Sequence, residues 1–131
     1  MRKTFQALFI LLVVTLSGCA NDYALMRDSN RSALNRIDVG MSKAQVQEIM
    51  GIKVADDGRT GRFENPYKRE FEKGLDGKSY EVLYYYTQQI GNNPIESGLT
   101  PITFLNGKVV GIGWGFLDNT VGNPTATIRR R

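Results

Sequence analysis

Asp56 and Asp57 stand side by side before Gly58, and a carboxylate pair can share a proton for acid–base work. An Asp pair beside glycine is also what a turn requires, and a turn is the expectation. Glu64, Glu70 and Glu72 are interleaved with Lys68, Arg69 and Lys73, the pattern of solvated charge. Gly111-x-Gly113-x-Gly115 lies within a strand pattern, without the helix start that a phosphate loop needs. The run Tyr84-Tyr85-Tyr86 offers rings that could stack a ligand or line a half-buried strand. Histidine is absent, which excludes Ser-His-Asp and Cys-His pairs and His-ligated metals. No nucleophile–base pair can then be assembled, so the expectation is a protein that is not an enzyme. No cofactor, metal or small-molecule substrate is expected. The net charge of +4 is too mild to point to nucleic acid.

Cys19 is the only cysteine, so no internal disulfide or thiolate cluster can form. Its setting is specific. Arg2 and Lys3 form a positive start, and Phe5 to Leu16 is a nearly continuous apolar run of 12 residues. A membrane-spanning helix needs about 20 residues, so the run fits a secretory signal better than a span. Leu16-Ser17-Gly18-Cys19 follows and resembles the bacterial lipobox, whose cysteine is diacylated on sulfur, freed by cleavage and N-acylated. The expectation is a signal peptide over residues 1–18 and a membrane anchor of acyl chains on Cys19. Each buried methylene of such chains contributes about 0.8 kcal/mol. The mature chain keeps 15 basic and 13 acidic side chains, a net charge of +2. Ala20 stands where an aspartate would favour inner-membrane retention, which points to the outer membrane, facing the periplasm.

Residues 19–29 read as a flexible tether and residues 30–117 as one α+β domain. A first helix is expected over Asn30 to Ile37, with Leu34 and Ile37 on one face. Ser42-Lys43-Ala44-Gln45 is a capping box, with Met41 and Val46 placed for a hydrophobic staple. Val46, Ile49 and Met50 make one apolar stripe, and Gly51 supplies a left-handed end that lets Ile52 fold back on Val46. Residues 56–78 form a long polar insertion. It reads as a solvated loop, or as a brief helix on Tyr67, Phe71 and Leu75.

Three strands then follow, over Tyr80 to Gln88, Thr100 to Leu105 and Lys108 to Phe116. Asn106-Gly107 joins the last two as a two-residue hairpin, pairing Leu105 with Lys108 and Thr103 with Val110. Val110, Ile112, Trp114 and Phe116 then share one face of the last strand. Gly111, Gly113 and Gly115 share the other and leave room for a helix or a partner. Residues 118–131 read as a flexible basic tail. Arg129, Arg130 and Arg131 could meet anionic headgroups, at about 1 kcal/mol each, or serve as solubilising charge.

The segment Ile37-Asp38-Val39-Gly40-Met41-Ser42-Lys43-Ala44-Gln45-Val46, closed by Gly51, resembles the opening motif of the SmpA/OmlA lipoproteins, the family of the outer-membrane assembly subunit BamE. Tyr84-Tyr85-Tyr86 and Thr103 to Val110 stand where that family has its aromatic strand and hairpin. The resemblance covers about residues 37–113. Ile52-Lys53-Val54 replaces the proline that many members carry after the glycine, and the only tryptophan is Trp114 rather than one in the aromatic strand. The chain thus resembles a divergent member. The resemblance implies two short helices on a three-stranded antiparallel sheet, ααβββ, with one sheet face left for docking. That order agrees with the elements read above.

The expected function is a scaffold or accessory role in envelope integrity or outer-membrane protein assembly. Its partners would be envelope proteins, among them the assembly machinery. The alternative is a periplasmic inhibitor or ligand-binding module of the β-lactamase-inhibitor type. In it Tyr84, Tyr86, Trp114 and Phe116 would be the protein-binding anchors on an aromatic sheet face.

Overall fold

The computed structural model describes residues 22–56, 62–89 and 95–122. Cys19, the signal segment, Arg129 to Arg131, Asp57 and Gly58 lie outside these residues. The fold is α+β, with helices on both sides of an antiparallel sheet.

Helix α1 runs over Asp22–Leu34, so it begins well before Asn30 and takes in most of the expected tether. Its buried stripe is Tyr23, Met26, Asn30 and Ala33. The spacing is helical, but a polar and a small residue interrupt the apolar pattern. Helix α2, Lys43–Met50, has the N-terminal end its sequence specifies. The Gln45 amide donates to Ser42 Oγ at 3.2 Å, and the Ser42 amide donates to Gln45 Oε1 at 2.9 Å. Met41 packs against the cluster that holds Val46. Gly51 has φ 71° but ψ 167°, an extended exit rather than a left-handed turn. Ile52 is therefore directed outward and is 95% exposed, not folded onto Val46.

The described part of the expected insertion contains strands rather than a helix. β1 (Val54–Asp56) pairs with β2 (Arg62–Glu64) as a small separate sheet. β3 (Lys68–Lys73) pairs with β4 (Ser79–Tyr86), so no helix forms on Tyr67, Phe71 and Leu75. Phe71 and Leu75 are exposed and offer no buried stripe to hold one. β5 (Leu99–Leu105) and β6 (Lys108–Ile112) complete a meander of order β3-β4-β5-β6.

The Asn106-Gly107 turn forms as read, with φ of 51° and 76°. Leu105 faces Lys108 and Phe104 faces Val109, but a bulge then pairs Thr103 with Gly111 instead of Val110. The strand also ends early. Gly113, at φ 86°, turns the chain into helix α3, Trp114–Val121. Trp114, Leu117 and Val121 fall at helical spacing and pack on the core. The glycine row of the expected strand is thus broken, and only Gly111 remains in the sheet.

Both sheet faces are covered, which explains why Val82 to Tyr86 are buried without alternation. Leu83 and Tyr85 pack with Val46 and Met50 of α2. Val82, Tyr84 and Tyr86 pack with Phe63 of β2 and Leu117 of α3. Helix α1 contributes Tyr23 and Met26 to the second cluster and Ala33 to the first.

Tyr85 is 1% exposed, and its hydroxyl has no hydrogen-bond partner among the described residues. Burial pushes its pKa up to about 12. The unfolded side chain loses its proton near pH 10, so the folded state holds the extra proton between the two values. Titration of this group leaves folding stability unchanged below pH 10 and lowers it as pH rises toward 12, by about 3 kcal/mol. Tyr85→Phe is expected to stabilise the neutral-pH fold by about 1 kcal/mol, because it removes a buried unpaired hydroxyl. Urea unfolding at pH 7 and pH 11 checks this, since the advantage of the variant should widen at the higher pH.

Candidate interaction site

The four aromatic residues expected as exposed anchors are not one surface. Tyr84 is 2% exposed and Tyr86 6%, both inside the core. Trp114 and Phe116 are half-buried on α3 rather than on a strand. Trp114 Nε1 donates to the Leu99 carbonyl at 2.7 Å, and its ring lies 5.5 Å from that of Tyr84. Phe116 lies over Gly111, where a Cβ would occupy the space of its ring. Strand alternation had placed these rings together. The helix after Gly113 instead folds α3 back and turns them into packing.

The sheet edges differ in how they are finished. The segment carrying the family-like motif covers β6. The Gly40 amide donates to the Val109 carbonyl and the Val109 amide to the Met41 carbonyl, each at 2.8 Å. The Lys43 amide donates to the Gly107 carbonyl at 2.9 Å, and Ser42 bridges Lys108. Gly40 has φ 94°, the conformation that carries the chain along this edge. The motif is therefore an edge cap as well as a helix entry.

β3 is the other edge. The Gly74 amide donates to the Lys78 carbonyl at 2.8 Å and sets the ladder phase. The alternation of an antiparallel pair then directs the backbone groups of Arg69, Phe71 and Lys73 away from β4. These are also the exposed residues of the strand, and Phe71 is 65% exposed. The Arg69 guanidinium stacks on the Phe71 ring at 4.9 Å and pairs with Glu81. Lys43, at the start of α2, pairs with the same carboxylate at 2.6 Å. Pairing of two copies about Phe71 would set Arg69 against Lys73 and Glu70 against Glu72. Like charges therefore oppose self-association along this edge.

A buried polar cluster, which sequence reading missed, locks the opposite end of the sheet. Asn30 Nδ2 donates to Asn65 Oδ1 and to the Tyr86 carbonyl, both at 2.8 Å. Asn65 Nδ2 donates back to Asn30 Oδ1 at 2.7 Å and to the Met50 carbonyl at 3.1 Å. Lys53 Nζ donates to the Met50 carbonyl at 2.6 Å. Burial, with Arg36 adding to it, holds this ammonium below its ordinary lysine value. No local pattern links Asn30 with Asn65, since only the fold brings α1, α2, β2 and β4 to one point.

Among the described residues, no group of His, Cys, Asp and Glu is placed to hold a metal ion. Among them, no helix is long and apolar enough to cross a membrane. No family model, curated protein or solved structure matches this chain.

Proposed function

We propose that this chain is a lipid-anchored, non-enzymatic protein of the outer membrane, facing the periplasm. In this reading it acts as a scaffold or accessory in envelope integrity or outer-membrane protein assembly. The observation that carries the reading is Leu16-Ser17-Gly18-Cys19 at the end of an apolar run, with the only cysteine at the position lipid chemistry uses. The architecture supports it. Helices α1 and α2 with β4, β5 and β6 follow the ααβββ order that the SmpA/OmlA resemblance implies, with β1, β2, β3 and α3 added. The motif residues Gly40 to Lys43 have a defined task, the capping of β6. Protein contacts would use the β3 edge, where Arg69, Phe71 and Lys73 combine cations, an aromatic ring and backbone groups directed away from β4. The inhibitor-like alternative needs Tyr84 and Tyr86 on a surface, and both are core residues.

The test is capture of the full-length protein from gently solubilised envelopes, with a photo-crosslinking residue at position 71. Cys19→Ala is expected to release the protein from membranes and abolish the crosslinks. Recovery of the barrel-assembly machinery supports the assembly role. A Cys19→Ala protein that stays membrane-bound with equal strength overturns the anchor.

A further inference from the structure

We infer that the face formed by Leu25, Ile52 and Val54 lies against the membrane surface and fixes the orientation of the domain on it. The inference rests on Cys19 being acylated, as proposed above. Helix α1 starts at Asp22, three residues after Cys19. Three residues span at most about 11 Å, so the first turn of α1 is held at the interface whatever path the link takes. Beside that turn is a shallow cavity of about 350 Å³ lined by Asp22, Leu25, Met26, Ser29, Lys53 and Val54. Leu25 is 56% exposed and Val54 51%, and Ile52, two residues before Val54, is 95% exposed.

Large apolar side chains this exposed are costly in water. They are well placed where an anchored surface can sink about 5–10 Å into the headgroup boundary. The cavity carries one charge of each sign, Asp22 and Lys53, so the contact is apolar rather than a response to anionic lipid. The extended exit at Gly51, which aims Ile52 outward, gains a purpose here. Helix α1 is about 20 Å long, so Val39, also exposed, follows the end of the helix remote from the anchor.

The test uses the full-length lipoprotein made in a bacterium that acylates lipoproteins. Single cysteines are introduced as Leu25→Cys, Ile52→Cys or Val39→Cys and labelled with an environment-sensitive fluorophore. An acylated Cys19 sulfur is a thioether and takes no label, so one label per chain reports acylation. The labelled proteins are reconstituted in phosphatidylethanolamine–phosphatidylglycerol vesicles containing a headgroup-proximal spin-labelled lipid. Quenching at positions 25 and 52 is expected to be about threefold or more that at position 39. One label per chain with equal quenching at all three positions overturns the orientation and leaves the anchor standing. Two labels per chain mean a free Cys19 thiol and overturn both.

Discussion

Asn30→Ala is expected to destabilise the domain by about 3 kcal/mol, because it leaves several buried groups unpaired at once. The Tyr86 carbonyl loses its 2.8 Å donor, and the Asn65 amide loses both halves of its reciprocal pair. Asn30 is fully buried, so water does not replace it without opening the junction. Lys53, whose Nζ also lies 3.3 Å from Asn30 Oδ1, keeps only the Met50 carbonyl as its close partner in this cluster. Asn65→Ala is expected to cost a similar amount. The two together should cost clearly less than their sum, since each removes the same pair. Urea unfolding of the two single variants and the double variant measures this coupling. Strict additivity would show that the two amides do not act as a unit.

Gly111→Ala is expected to cost about 3 kcal/mol, at the upper end of ordinary overpacking. The added methyl falls within the Phe116 ring, and that ring belongs to a helix rather than to a flexible end. Helix α3 must then shift away from the sheet. Its displacement uncovers Tyr84 and Leu117, both now buried in the core. The Trp114 indole, bonded to the Leu99 carbonyl, reports the movement directly through its fluorescence. Phe116→Leu alone is expected to be mild, and in combination with Gly111→Ala it should restore most of the loss. A Gly111→Ala protein with unchanged stability and unchanged Trp114 emission would contradict the docking of α3.

Together these variants separate the two junctions that hold the sheet covered. Asn30 and Asn65 fasten α1, the end of α2 and the end of β4, whereas Gly111 and Phe116 fasten α3. Loss of either exposes aromatic residues that would bind proteins indiscriminately. A variant of this kind that gains partners gains them through unfolding. Tests of partner binding therefore belong at exposed positions such as Phe71, where substitution leaves the core intact.

The sequence by itself determined the features whose cause is local. The Ser42–Gln45 capping box and the Asn106-Gly107 turn are written in adjacent residues, because a cap or a two-residue turn is specified by its own hydrogen bonds and φ values. The α+β class and the approximate places of β4, β5 and β6 followed from propensity and alternation. Tertiary structure decided the rest. Residues 68–73 form a strand because β4 offers an edge to pair with, although the spacing of Tyr67, Phe71 and Leu75 also suited a helix. Helix α1 takes in residues 22–29 because Tyr23 and Met26 pack with Phe63 and Tyr86, partners distant in the chain. Trp114 and Phe116 leave the strand because Gly113 takes a positive φ, and Gly111 gives the returning helix a place to lie. That last step turned the expected aromatic binding face into core. A side chain's exposure depends on what folds over it, and no stretch of sequence contains that information locally.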